Sequence, residues 1–435
     1  MGSESPPNPR FSKLVEWLRW QETLHPNAID LGLERVRRVL NCLGLAHPEH
    51  VVITVGGTNG KGSSVAFLEA ILREQGFRVG AYTSPHLVRY NERIRLHGEE
   101  VNDAALCSAF ARVDAARGDV SLTYFEFGTL AALDLFRLAR LDVAILEVGL
   151  GGRLDAVNVV DADVALLTTI GIDHVEWLGA DRESIGTEKA GIFRAGRPAV
   201  CADANPPASV LEHAHAIGAR LHLSGRDFGY SPGAGEWAWW GKEVRLQGLP
   251  SPAQRGPHQL ANAAGVLATL AAIGDRLPLT VRAIHVGLET AQLVARFQVF
   301  PGPVEWILDV THNPHGAQTL AIALAERPCA GRTRAVVGML RDKDVTGVLR
   351  ALRGVVDDWY VATVADPRGL SSAQIASLFP AAEIRVPPNQ YASVAQACHD
   401  AAREATAGDR ILVFGSFRTI AEVLAARCEF TFAVL

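Results

Sequence analysis

From residue 51 onward the chain alternates short apolar runs with helical stretches, and this alternation constrains the fold most. Residues 51–55 lead into 56–63, and 79–82 into 83–86. Residues 143–146 end at Glu147, and 164–169 lead into 171–174. Runs that are apolar at nearly every position belong to strands covered on both faces, and the helical stretches supply the crossovers that parallel strands require. The fold class that follows is α/β: a mainly parallel sheet, which the glycine- and lysine-bearing cluster at 57–63 makes a P-loop nucleotide-binding domain, plus a smaller C-terminal Rossmann-like domain. Ligands of such sheets sit beyond the carboxyl ends of the strands, and each polar cluster falls at such an end.

At 435 residues the chain is long enough for two or three domains. Residues 1–296 read as the nucleotide- and substrate-binding domain, and the proline-bearing stretch 297–303 as a linker. Residues 304–435 form a second series, with apolar runs at 304–310, 334–340, 359–364, 383–386 and 410–414. Helices are expected over 11–21, 33–43 and 257–273, and a small antiparallel insertion over 237–249. Hydrophobic residues make up 48% and charged residues 20%, which excludes a largely disordered chain. No apolar stretch is long enough to span a bilayer. Forty-two basic against 47 acidic residues give a net charge of −5. Such a chain has no global attraction for nucleic acid or anionic membrane, so an anionic ligand must be gripped locally. The cysteines at 42, 107, 201, 329, 398 and 428 form no CxxC pair, so neither a zinc site nor a disulfide framework is expected. Residues 1–10, polar and proline-rich, read as a loose tail and not a signal peptide, and the expected location is the cytoplasm.

Gly57, Thr58, Asn59, Gly60, Lys61, Gly62 and Ser63 follow the first apolar run and open a helical stretch over 64–73. Glycines let the backbone turn its amides toward a phosphate, the helix N-terminus adds a favourable dipole, and Lys61 supplies a point charge. The loop departs from GxxxxGK(S/T), since Val55 stands at the first glycine and Gly62 follows the lysine. A glycine-rich turn with a solvated lysine is the plain alternative. Neither this loop nor 149–153 has GxGxxG spacing, so NAD chemistry is not expected. Glu147 ends an otherwise apolar run, and a buried carboxylate is costly unless paired, hydrogen-bonded or bound to a metal. An ion pair with Arg153 is its structural alternative. On chemistry alone Asp173 suits magnesium better than His174.

The loop at 57–63, together with the motifs at 25–36, 83–87, 146–156, 168–174, 188–194, 308–316 and 414–417, resembles the folylpolyglutamate synthases of the Mur ligase superfamily. The likeness is greatest to bacterial members that also have dihydrofolate synthase activity. The resemblance implies ATP with two Mg²⁺ ions, metal ligands at Ser84, Glu147 and His174 with Asp173 behind them, and a carbamylated Lys189. Catalytic roles fall to Lys61, His174 and Lys189. It implies that Thr123, Tyr124, Phe125, Glu126, Leu154, Asp155 and Ala156 line a dihydropteroate pocket. Asn262, Arg296 and Asp309 would hold ATP, with Arg296 at an interdomain hinge, and His312 and Ser416 the incoming glutamate. From the residues alone, 123–127 fits strand core equally well and Asp155 fits a pair with Arg153. Lys189 and Arg296 fit solvated cations, and Asp309 a helix N-cap.

The implied activity is an ATP-dependent amide ligase acting through an acyl phosphate on dihydropteroate or a reduced folate with L-glutamate, working as a monomer. No Ser-His or Cys-His nucleophile motif competes with it. The rival readings are a cell-wall Mur ligase acting on a UDP-muramyl substrate and a P-loop ATPase switch that makes no bond.

Overall fold

A computed structural model describes residues 9–426 apart from 234 and 257. The tail expected at 1–10 therefore lies outside the described residues save for its last two, as does Cys428; the other five cysteines are free thiols. The chain divides into two compact units. Residues up to 170, with 177–251 and 261–291, make the first; 171–176, 252–260 and 292 onward make the second.

The first unit is built on strands β1 (Val51–Gly56), β2 (Val79–Tyr82), β3 (Ile94–Leu96), β4 (Glu99–Glu100), β5 (Val143–Glu147), β6 (Val164–Leu167), β7 (Pro198–Cys201) and β8 (Arg220–Leu223), in the spatial order β4-β3-β2-β5-β1-β6-β7-β8. All but β3 and β4 run parallel, with Val51 opposite Val143 and Val143 opposite Val79. Strands β1, β2, β5, β6 and β7 are buried at every residue, as their unbroken apolar runs require. From β1 the sheet grows toward β5 and β2 on one side and β6 and β7 on the other. Such a reversal opens a crevice at the carboxyl ends of the strands. Beneath the helices Trp17, Phe110 and Phe127 pack ring against ring, Trp17 lying 6.0 Å from Phe110 and 6.4 Å from Phe127. The expected insertion is a three-stranded antiparallel sheet of β9 (Gly229–Pro232), β10 (Glu236–Trp240) and β11 (Arg245–Pro250).

The second unit carries a six-stranded sheet, β12 (Gln298–Phe300), β13 (Glu305–Leu308), β14 (Thr333–Val337), β15 (Asp358–Ala362), β16 (Asn389–Tyr391) and β17 (Arg410–Phe414), ordered β12-β13-β17-β14-β15-β16. Only β12 runs antiparallel. Two expectations fail here. The stretch 297–303 is not a free linker, because Val299 faces Ile307 and Phe300 faces Trp306, which pins it to β13 as an edge strand. The run 383–386 is no strand: Glu383 has φ of 62°, and Pro387 and Pro388 delay the edge strand to Asn389. No helix among the described residues is long and apolar enough to cross a membrane.

Candidate active site

The nucleotide loop is shaped by contacts that only glycine permits. Gly57 has φ of 140° and Gly60 of 87°; a Cβ on Gly57 would lie 1.9 Å from Thr168 Oγ1, and one on Gly60 2.4 Å from Asn262 Oδ1. Thr58 N donates to Thr169 O at 2.7 Å and Asn59 N to Thr169 Oγ1 at 3.2 Å, while Thr168 Oγ1 donates to Asn59 O at 2.7 Å. The turn is thereby strapped to the residues beyond β6. Helix Lys61–Glu74 begins at Gly60, and the positive end of its dipole favours an anion beside the turn. Lys61 Nζ donates to Gly57 O at 3.0 Å and Thr58 O at 3.1 Å. Lys189, expected on composition to be solvated, is only 5% exposed, and its Nζ donates to the same Gly57 O at 3.0 Å. Both amines thus meet at one carbonyl oxygen of the loop.

Glu147 closes β5 and is buried, with Oε2 accepting from Ser84 N at 3.3 Å. Arg153 pairs with Glu188 at 2.8 Å, so the alternatives that gave it to Glu147 or Asp155 do not hold. Among the described residues no group of three His, Cys, Asp or Glu side chains forms a metal cage. One buried carboxylate, on a strand paired with β1 and beside the Ser84 amide, nevertheless fits magnesium, which takes oxygen ligands and is commonly held by one or two carboxylates plus substrate phosphates.

Residues 123–127 are not strand: Thr123 precedes a helix that begins at Tyr124. Thr123 caps helix Tyr124–Leu138 in a reciprocal box, with Thr123 Oγ1 accepting from Glu126 N at 3.2 Å and Glu126 Oε2 from Thr123 N at 2.7 Å. Arg35 donates to Glu126 Oε1 at 3.0 Å, so both carboxylate oxygens serve the fold. Phe125 stacks on Tyr82 with centroids 5.8 Å apart, and a Cβ on Gly149 would strike its ring at 2.8 Å. Tyr124 meets Tyr90 edge-on at 5.6 Å. Between half-buried Leu154 and buried Ala156, Asp155 accepts from Leu150 N at 2.8 Å and Val157 N at 3.0 Å. Burial raises its pKa to about 6, against the opposing pull of the Leu150, Val157 and Gly149 amides and the Lys61 charge.

Asp173 and His174 follow β6 in sequence yet pack within the second unit. Asp173 accepts from Lys343 Nζ at 2.7 Å, Asn313 Nδ2 at 3.1 Å and the His174 amide at 2.9 Å, with His312 Nε2 3.5 Å away. Burial alone would raise its pKa; the His312 hydrogen bond and the charges of Lys343, His312 and His174 overcome it and hold the carboxyl well below the carboxylate range. Its oxygens are thus committed to positioning. His174, in the left-handed region at φ 52°, lies 3.4 Å from Lys343 Nζ.

Ser416 is the N-cap of helix Phe417–Ala425, with Oγ accepting from Thr419 N at 3.0 Å. Asp309 is not a helix N-cap, since Asn313 caps helix Pro314–Ala325; it accepts instead from Phe297 N at 2.7 Å and Thr311 N at 2.8 Å. Arg296 lies over the Phe417 ring at 5.1 Å. Two further residues carry no site expectation from the sequence. Lys343 follows the apolar run 334–340, so the rule that polar groups end strands points to it. Burial lowers the pKa of His258, against Asp309 and with the charges of Arg296 and His315, which places all four in one electrostatic neighbourhood.

A glycine turn with two converging lysines, and a second α/β unit with its own polar strand ends, define a ligase of the Mur class. Residues 55–227 match the Mur ligase middle domain, and 295–417 the Mur ligase, glutamate ligase domain. The dihydrofolate synthase/folylpolyglutamate synthase of Escherichia coli is 48% identical over 413 residues, 95% of each chain; that of Haemophilus influenzae is 42% identical, over 94% of this chain and 97% of its own. The solved E. coli FolC in complex with DHPP and ADP superposes with a TM-score of 0.91 at 46% identity, over 96% of this chain and 98% of that one. The Yersinia pestis enzyme complexed with AMPPNP and Mn ion gives 0.90 at 48%, over 98% and 100%. The chain belongs to the dihydrofolate synthase/folylpolyglutamate synthase family.

Proposed function

We propose that this chain joins L-glutamate to dihydropteroate, giving dihydrofolate, and adds γ-linked glutamates to reduced folates, with ATP as the energy source. The observation that carries this reading is the glycine turn that opens helix Lys61–Glu74, with Lys61 Nζ held against the Gly57 and Thr58 carbonyls. The substrate carboxylate attacks the γ-phosphorus of ATP, the bond to ADP breaks, and an acyl phosphate forms. The amine of glutamate then adds to the acyl carbon, loses a proton, and expels phosphate through a tetrahedral intermediate. Loop amides and Lys61 bind the phosphates and offset charge that grows on them. Two magnesium ions, when bound, supply further positive charge there, and Ser84, Glu147 and His174 are the residues that would hold them. A carbamylated Lys189 would add an oxygen ligand in a buried place.

Asn262, Arg296 and Asp309 serve the nucleotide in this reading. The Phe125 ring and the walls at 123–126 and 154–156 serve the flat pterin, and His312 with Ser416 the glutamate. Phosphate release that requires glutamate, measured with dihydropteroate, with tetrahydrofolate and with neither, tests the assignment. Activity with tetrahydrofolate alone removes the dihydrofolate synthase half, and glutamate-independent release removes the ligase reading. Oxygen-18 in the substrate carboxylate must appear in released phosphate if the acyl phosphate forms. Intact mass of the native enzyme tests for added CO₂ on Lys189.

A further inference from the structure

The other end of the first unit's sheet holds a cleft that the ligase chemistry does not use. Its floor is the chain entering β1, β2 and β5: His50 and Val51, Phe77 and Arg78, Leu141 and Asp142 line it, at the amino ends of strands whose carboxyl ends carry the nucleotide loop and Glu147. Strands of five or six residues separate the two places by roughly 16–20 Å. The cleft measures about 1160 Å³, ample for a nucleotide-sized molecule.

Its charge is opposite to that of the chain as a whole. Arg78, Arg137, Arg140 and Arg276 face it, against Glu49 and Asp142. Three of these cations have acidic partners: Arg78 binds Asp142 at 2.7 Å, Arg276 binds Asp163 at 2.6 Å, and Arg137 binds Asp134 at 3.1 Å. Asp142 is spent on Arg78, so it does not neutralise its neighbours. Arg140 pairs with no acidic side chain among the described residues. It is exposed and sits in the left-handed region at φ 49°, a conformation that a non-glycine residue adopts rarely and at a cost. Across the cleft floor, His50 Nε2 is buried without a hydrogen-bond partner.

The geometry points to a second ligand site in this cleft, for a small oligoanion with closely spaced phosphate or carboxylate groups, gripped by Arg140 among the other arginines of its lining. Two sources share that chemistry. One is a polyphosphate such as that of a nucleotide. The other is a γ-glutamyl chain, which gains a carboxylate at each addition; that source rests on the proposed function, whereas the site itself does not.

Titration calorimetry on the full chain, with the nucleotide site filled by AMPPNP and Mn²⁺, separates these outcomes. The probes are tripolyphosphate and tri-γ-glutamate. At least one is expected to bind one per chain, more weakly as salt is raised. Arg140→Asn should weaken it about tenfold or more, because asparagine accepts left-handed backbone but carries no charge. Arg140→Lys should retain most of the affinity. Whichever probe shows this dependence on residue 140 identifies the source. If the wild type binds neither probe, or Arg140→Asn binds as the wild type does, the site is refuted, whatever the ligase assays give.

Discussion

The loop around Asp155 and the loop around Asp173 each bury a carboxylate, in different units, and the two shift in opposite directions. Asp155 is met by the amides of Leu150 and Val157, and burial wins, raising its pKa to about 6. Asp173 is met by the Lys343 ammonium, two imidazoles and an amide, and its pKa falls in spite of burial. At Asp155 the opposition comes mainly from amide dipoles, whereas at Asp173 the His312 hydrogen bond, followed by the charges of Lys343, His312 and His174, outweighs burial. The first unit thus keeps a carboxyl that can change its protonation state, and the second a fixed anion that orients its neighbours.

The comparison breaks most visibly if Lys343 is replaced. Lys343→Met leaves Asp173 buried without its ammonium, and removing one partner of a buried pair costs about 3–5 kcal/mol. Urea unfolding of the variant should show that loss; a change below about 1 kcal/mol would mean that the imidazoles and Asn313 carry Asp173 unaided. Next comes Lys61→Ala. Alanine suits the first turn of helix Lys61–Glu74, so the fold should hold, while kcat for glutamate-dependent phosphate release falls about 10²–10³-fold. A loss smaller than tenfold would move the phosphate-binding charge to another group.

Much of the first unit is legible in the residues themselves, for definite reasons. Strands buried on both faces announce themselves as unbroken apolar runs, so β1, β5 and β6 and the loop after β1 follow from the residues. Partner choice does not. Nothing in the sequence tells that Arg153 turns to Glu188 instead of Asp155, because both acids lie within reach of a flexible side chain. Nor does it show that Asp173, which follows a first-unit strand, packs with Lys343, some 170 residues on. The edge strand at 298–300 hides behind Pro301 and Pro303, since short edge strands tolerate flanking prolines and carry little pattern of their own. The helix at 124 is disguised by aromatic residues, which propensity assigns to strands, although Thr123 and Glu126 stand at capping-box spacing.

Asp155 sharpens the comparison through pH. Its folded pKa of about 6 lies above the ordinary 3.8, so the folded state binds the proton more tightly than the unfolded chain. The stability this group contributes is therefore full below about pH 4 and is lost as pH rises through about 6, with a total of about 3 kcal/mol. Asp155→Asn cannot titrate. The stability of the wild type relative to this variant should rise as pH is lowered from 7.5 toward 4.5; a flat difference would show that the amides, and not burial, govern Asp155.

The smallest effect compares one device used in both units. Thr123 with Glu126, and Ser371 with Gln374, each form a capping box at a helix start. Thr123 is buried and its partner Glu126 also holds Arg35, whereas the Ser371 box faces solvent, where water can replace a lost hydrogen bond. Removing a cap costs about 0.5–2 kcal/mol. Thr123→Ala belongs at the upper end of that range and Ser371→Ala at the lower, both read from unfolding midpoints, with Thr123→Ser restoring most of the loss. Equal losses would mean that the cap's own hydrogen bond, and not the burial of its surroundings, sets the cost in each unit.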